Sequence, residues 1–443
     1  MENSQEIREK FLKFFENKGH KRLNSFSLVP QNDPSLLWVS AGMSPFKFEF
    51  EGTVIPSNCR ITTCQKCLRA DDIELVGKTD RHHTFFEMLG NFSFGDYFKK
   101  EAVEWAWELL TQIYNIPKDK LLISVHPDDE ETYSIWLDNI KIPKEKIYKL
   151  ESNWWGPIAK IGTCGPDTEI YFDRGHDFGC KDINCKPDCQ NFRAENIKCD
   201  RYIEIWNLVF TMYNKDQNGN YLKLLRKNID TGAGLERLTA VLQNKENPYE
   251  TDLFLPFYDL VKINNNYRSK IAKKIIADHL RACVFAMSDN VFPSNKKNGY
   301  VLKKILRRAF INLKFYSLEK IDIKNYVSII IEIYKNIYPN LENNKSIIIK
   351  TIEENYIEYE QLINQVSVEM LKEISKLYLK PDEKKDKTVI SGKLLFKYHD
   401  EKGLPYEISK VLLESKGFEV NEEEFNKEME QQKIRSYNKK GRK

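Results

Sequence analysis

The run IDTGAGLERL, Ile229 to Leu238, sets two glycines ahead of a helix-forming segment and follows them with a glutamate and an arginine. Glycines at 232 and 234 let a backbone approach a ligand closely, and a helix N-terminus presents oriented N–H groups to an anion. The lysine and hydroxyl of the phosphate-binding pattern G-x-x-x-x-G-K-[ST] are missing here. The dinucleotide pattern G-x-G-x-x-G fails at its last glycine, where Arg237 stands. Phosphate chemistry on this stretch therefore falls to Arg237, whose guanidinium can cover an adenine ring or meet a terminal phosphate. A glycine turn beside a surface arginine is the bland alternative.

A second constellation lies in TTCQKCLRADDIELVGKTDRHHTFFEMLGNFSFGDYF, which reads as strand, loop, strand. Arg69 ends the first strand; Arg81, His82 and His83 open the second, and Phe85, Phe86 and Glu87 run along it. Cations beside aromatic rings on paired strands suit a nucleotide, with arginine on an α-phosphate and a ring on the base. Taken singly, each histidine and phenylalanine is more often a core residue. A third group, Cys180, Cys185, Cys189 and Cys199, has the spacing C-x4-C-x3-C-x9-C. Four thiolates so close can close a tetrahedral zinc site; unliganded thiols stand as the alternative, because paired C-x-x-C spacing is absent. Cys64 and Cys67 form one C-x-x-C, but their strand setting makes packing their expected role.

These groups need a scaffold. The 443 residues are 41% hydrophobic and 30% charged, enough for two or three domains with real cores. Ile7, Phe11, Phe14 and Phe15 mark an N-terminal helix that Gly19 ends. From Ser25 to about Ala240, short runs such as SLLWVSAG, CRITTC, LLISVHP and YIEIWNLVFTMY predict a mostly antiparallel sheet, with EAVEWAWELLTQIYN as an intervening helix. Past Pro248 the texture becomes long amphipathic helices, including IAKKIIADHLRACVFAM, YVLKKILRRAFINLKFY and the stretch from Lys345 to Leu377. The expected fold class is α+β: a sheet-rich unit over 1–247, then a mostly helical unit over 248–443, with a charged tail from Asn421. Net charge is only +4, yet twelve lysines and arginines lie between Arg268 and Lys314 against Asp278 and Asp289 alone. That asymmetry favours contact with a polyanion over a merely solvated helix face. The N-terminus carries no apolar signal segment, and no apolar run reaches a membrane span. A cytoplasmic protein with reduced thiols and no membrane partner is expected.

Arg69 on one strand, an aromatic returning strand and the later G-x-G-x-E-R helix resemble motifs two and three of the class II aminoacyl-tRNA synthetases, and RLNSFSLVPQNDPSLLWVSAGM, with Pro30, resembles motif one. RHHTFFEMLGNFSFGDYF, GPDTEIYFD, YIEIWNLVF, IDTGAGLERL and FPSNKKNGYVLKKILRRA are together very similar to the alanyl-tRNA synthetase family, over essentially the whole chain. The resemblance implies activation of alanine with ATP and Mg2+ to an adenylate, then transfer to the 3' end of tRNA(Ala). It implies Arg69 and Arg237 as the catalytic cations on the α- and γ-phosphates. Arg81, His82, Phe85 or Phe86, and Glu87 would join them around ATP, strand alternation letting one phenylalanine face the adenine. Asp230 would take the alanine ammonium, with Trp155, Asn207 and Gly232 as walls. Such a pocket rejects glycine and serine poorly, because one methyl is worth only about 1–3 kcal/mol.

The resemblance further implies that a G·U pair of the acceptor stem is read by Asn295 in FPSNKKNGY and Asp400 in HDEKGLPYE, while Lys303, Lys304, Arg307 and Arg308 grip backbone phosphates. The family's editing and C-terminal oligomerising regions have no counterpart in the sequence, and H-x-x-x-H is absent, so a monomer without editing is expected. Two departures stand out: a short motif-two loop, ADDIELVG, and Asp80 where the family places a small residue. A cysteine cluster related to Cys180–Cys199 occurs in some relatives. The competing reading is a non-catalytic synthetase-like tRNA-binding protein, which loss of Arg69, Asp230 or Arg237 would signal; all three are present. A zinc-dependent structural protein is a third, resting on the cysteines alone.

Overall fold

The computed structural model describes residues 2–31, 33, 36–157, 161–194, 197–378 and 388–440. Helix α1 (Ser4–Asn17) opens on a capping box between Asn3 and Glu6, buries Ile7, Phe11 and Phe15, and gives way to Gly19 at φ +86°. The strands of the first 247 residues are β1 (Lys21–Arg22), β2 (Arg60–Leu68), β3 (Phe85–Phe94), β4 (Leu121–Val125), β5 (Ile147–Lys149), β6 (Trp154–Trp155), β7 (Gly162–Asp173), β8 (Phe192–Ala194), β9 (Ile197–Lys198), β10 (Tyr202–Lys215) and β11 (Tyr221–Gly234). Nine of them build one sheet in the order β1-β2-β3-β11-β10-β7-β4-β5, with β6 added to β7. Every neighbouring pair is antiparallel except β1–β2 and β4–β5. Strands β8 and β9 form a separate small hairpin.

The helices continue with α2 (Lys99–Glu108), α3 (Leu235–Leu242), α4 (Tyr267–Ser288), α5 (Lys297–Tyr316), α6 (Ile323–Tyr334), α7 (Lys345–Tyr378), α8 (Gly392–Lys402), α9 (Tyr406–Glu414) and α10 (Glu422–Lys440). The α+β class holds, and each of the long helices expected after residue 248 is present. One expected strand is not. SLLWVSAG forms none over Leu36–Gly42, and Pro34 and Ser35 lie outside the described residues. Val39 makes one backbone bond in each direction, to Leu28 and from Leu68, too few for a ladder.

A single apolar core joins α1, the sheet and the later helices, and contains Phe11, Phe85, Phe285, Leu306 and Ile352. Strand alternation sends Phe85 into that core, where its ring stacks on Phe285 at 4.0 Å. Charges buried at the same junction are paired: Arg8 with Glu87 at 2.7 Å, Arg281 with Glu236 at 2.8 Å and Lys66 with Asp289 at 2.5 Å. Pairing is what makes such burial tolerable, since a lone buried charge costs several kcal/mol.

Candidate active site

The antiparallel centre of the sheet brings the ends of β2, β3, β7, β10 and β11 around one cavity of about 260 Å³. Arg69, Arg81, His82, Phe86 and Arg237 border one part of it; Trp155, Asn207, Asp230 and Gly232 border another. These are nine of the eleven sequence-derived ATP and alanine candidates. Phe85 and Glu87 are the exceptions, for one reason. They share the face of β3 opposite Phe86, so the pleat that turns Phe86 to the cavity buries them against helices. Phe86 is the cavity-facing ring, with the Arg69 guanidinium 5.0 Å from its centroid. Glu87 accepts from Arg8 Nε and Nη2 at 2.9 and 2.7 Å and from the Tyr338 hydroxyl at 2.6 Å. It is a structural anion, out of reach of a ligand.

Two strand ends aim the arginines. Arg69 follows β2 directly, its backbone N–H donates to the Thr84 carbonyl at 2.9 Å, and its Nε donates to the Ser40 carbonyl at 2.9 Å. Arg237 lies on the first turn of α3, which begins where β11 ends at Gly234. Its guanidinium donates to the Arg81 carbonyl at 3.3 and 3.1 Å, and to the Glu204 carboxylate at 2.9 Å. The short β11–α3 junction holds the arginine close to the cavity. At Gly232 a Cβ would stand 2.7 Å from Met88 Sδ, so a side chain there would displace a cavity wall. Burial together with the charges of Arg237, Arg81 and Arg69 pushes the His82 imidazole down to about 3, leaving it neutral. Its Nδ1 meets the Thr79 hydroxyl at 2.6 Å.

The cavity is also lined by acids, and sequence reading found only part of them. Asp230, on β11, is buried; among the described residues its carboxylate has no partner, and burial alone pushes it up to about 7. Glu169 on β7 and Glu204 on β10 also border the cavity. Burial, then Glu204 and Asp167, raise Glu169 to about 8, and burial raises Asp167 to about 7. Asn207 lies between them, its amide nitrogen 3.4 Å from Asp167 and 3.5 Å from Glu169, its oxygen buried without a partner among the described residues. The available signal was the pair of acids at period two in GPDTEIYFD, inside an otherwise apolar strand. Met88, Val209 and Ala41 complete the apolar wall near Gly232 and Trp155.

The four thiols of Cys180, Cys185, Cys189 and Cys199 come together between β7 and β10, all sulfurs within 4.8 Å of one another. Cys180 and Cys189 are 3.7 Å apart, Cys185 and Cys199 3.5 Å. Cys64 and Cys67 are buried in the sheet, as packing requires. On the helical side, Asn295 is exposed just before α5 and accepts from Lys303 at 2.9 Å. Asp400 is exposed on α8 and accepts from Gln432. Lys304 stands over the Tyr300 ring and Arg307 over Tyr359. Arg308 departs from this row. It turns inward, donates to the Ile73 carbonyl and lies 3.1 Å from His279, so it does not belong among phosphate contacts.

A cavity lined by arginines and carboxylates on an antiparallel sheet accords with what the family comparison returns. The family described as tRNA synthetases class II (A) matches residues 6–443, and the chain belongs to it. Among curated relatives, the alanine--tRNA ligase of Petrotoga mobilis is 46% identical over 439 residues, covering 97% of this chain and 48% of that protein. The alanine--tRNA ligases of Carboxydothermus hydrogenoformans and Clostridioides difficile are 45% and 43% identical, each over 98% of this chain and 49% of their own length. The chain thus spans about half the length of the curated relatives it matches. Among the described residues no helix is long and apolar enough to cross a membrane.

Proposed function

We propose that this chain joins alanine to ATP as alanyl-adenylate and passes the alanyl group to the 3' end of tRNA(Ala). The observation that carries this reading is the polar lining of one cavity of about 260 Å³, where Arg69, Arg81 and the Arg237–Glu204 pair share the walls with buried Asp230 and with Glu169. A zwitterionic amino acid and a nucleotide triphosphate fit it in one orientation, ammonium toward Asp230 and phosphates toward Arg69 and Arg237. The alanine carboxylate attacks the α-phosphorus and pyrophosphate leaves; Arg69 stabilises charge on the α-phosphoryl oxygens, and Arg237 accompanies the departing phosphates. No side chain need act as general base, since the attacking carboxylate is already ionised. Mg2+ enters as part of the ATP substrate. Phe86 stacks on adenine, with Arg81 and neutral His82 beside it. Trp155, Asn207 and Gly232 close on the methyl group, with Met88 behind Gly232.

Residues 1–247 hold this chemistry, and residues 248–443 meet the acceptor stem. Lys303, Lys304 and Arg307 contact phosphates, while Asn295 and Asp400 read the G·U pair. The four cysteines hold a structural zinc: tetrahedral Zn–S bonds of about 2.3 Å put sulfurs about 3.8 Å apart, close to the 3.7 and 3.5 Å observed for two of the pairs. The deciding measurement is exchange of labelled pyrophosphate into ATP with alanine, serine, glycine or no amino acid. Strong exchange with alanine and weaker exchange with serine and glycine is the expected result. No exchange, with tRNA still bound, would replace this reading with a non-catalytic tRNA-binding relative.

A further inference from the structure

The inward turn of Arg308 begins a continuous chain of polar contacts that runs from a half-buried position on α5 into the core. On α5, Arg308 donates to the Ile73 carbonyl and lies 3.8 Å from Glu74, both in the loop between β2 and β3. Its Nη1 stands 3.1 Å from His279 Nε2. A guanidinium only donates, so Nε2 must accept and the ring proton sits on Nδ1. That Nδ1–H reaches Asp278 Oδ2 at 2.9 Å. Asp278 accepts the Thr84 backbone N–H at 2.9 and 3.2 Å, and stands 3.4 Å from the ring of His83. His83 borders the cavity, and Thr84 directly precedes β3 and accepts from the Arg69 backbone N–H. Asp278 and His279 are completely buried on α4, so neither has room to swing.

We propose that Asp278 and His279 are positioning residues that fix α5, and any RNA seated on it, in register with the end of β2 that carries Arg69 and the segment before β3 that carries Arg81. This rests on the reading of α5 as the RNA-contacting helix. Adenylate formation centres on Arg69, Asp230 and Arg237, which lie just past β2, on β11 and on the first turn of α3, with no hydrogen bond to α5 among the described residues. Transfer also requires the RNA 3' end to meet the adenylate, so it depends on how α5 sits against β3. Loosening the linkage should therefore separate the two half-reactions.

The variant His279→Asn keeps an N–H for Asp278 and removes the acceptor that Arg308 uses. Arg308→Met breaks the same link from its more exposed end, as a second route should the buried substitution fail to fold by thermal melting. The expected result is alanine-dependent pyrophosphate exchange within about twofold of wild type, with single-turnover transfer from preformed adenylate to tRNA(Ala) slowed about tenfold. His279→Gln, which offers an amide oxygen near the position of Nε2, should recover part of the transfer rate. Equal losses in both half-reactions, or none in either, would overturn the linkage while leaving the substrate reading intact. Absence of exchange in wild type would overturn both.

Discussion

If Asp230 holds the amino-acid ammonium as proposed, substrate binding and stability pull on it in opposite directions. Its carboxylate is unpaired among the described residues, and burial holds it near 7, well above the ordinary 3.8. It must be ionised to hold an ammonium, so kcat/KM for alanine should fall as pH drops through about 7. Asp230→Asn should flatten that limb and weaken alanine binding by about 10- to 100-fold, the size of a lost charge-assisted bond. The same raised value makes ionisation costly to the fold: stability is full below the unfolded value, and is lost as pH climbs through about 7. Melting curves of Asp230→Asn should accordingly lie above wild type at pH 8, with the gap shrinking toward pH 5. A gap of the same size at both pH values would show that the Asp230 carboxylate is solvated.

At the scale of single elements, β3 tests the geometry most directly. Phe85 and Phe86 are neighbours in sequence, yet one packs on Phe285 and the other faces the cavity. Phe85→Ala should cost about 3–5 kcal/mol of stability by opening a hole in the core. Phe86→Ala should melt close to wild type and raise KM for ATP. The sequence could not separate the pair, because β3 is covered on both faces and the face of Phe85 carries Glu87, Asn91 and Ser93, so alternation of polarity does not mark which ring is core. The β11–α3 junction was legible for the opposite reason: two glycines, then a helix-forming run ending the apolar strand, leave few local alternatives. Arg308 was misread because helical spacing places it beside Lys304 and Arg307, while its inward turn depends on acceptors in the β2–β3 loop and on His279. Asp167 and Glu169 at period two gave a sequence signal, but that Glu169 and Glu204 border one cavity follows only from the pairing of β7 with β10.

Across the whole molecule, two forces act at a distance from the cavity. The cysteine cluster packs on Leu122, Tyr171 and Tyr202 at one end of the sheet, and the Tyr171 hydroxyl bonds Glu169. On the zinc reading, a strong chelator should lower the melting temperature, release one ion per chain in a colorimetric assay and weaken alanine binding. Replacing Lys303, Lys304 or Arg307 by alanine should weaken tRNA binding and reduce its logarithmic salt slope by about one per phosphate no longer neutralised.

The core that joins the sheet to the later helices also limits how the chain can be divided. A cut near residue 247 would strip Glu236 of Arg281 and Glu87 of Tyr338, and would bare the ring of Phe85. Although the two halves differ in texture, the first half made alone should be recovered as aggregate. Supplying residues 248–443 in trans should return it to solution, as two pieces of one folding unit rather than two independent proteins.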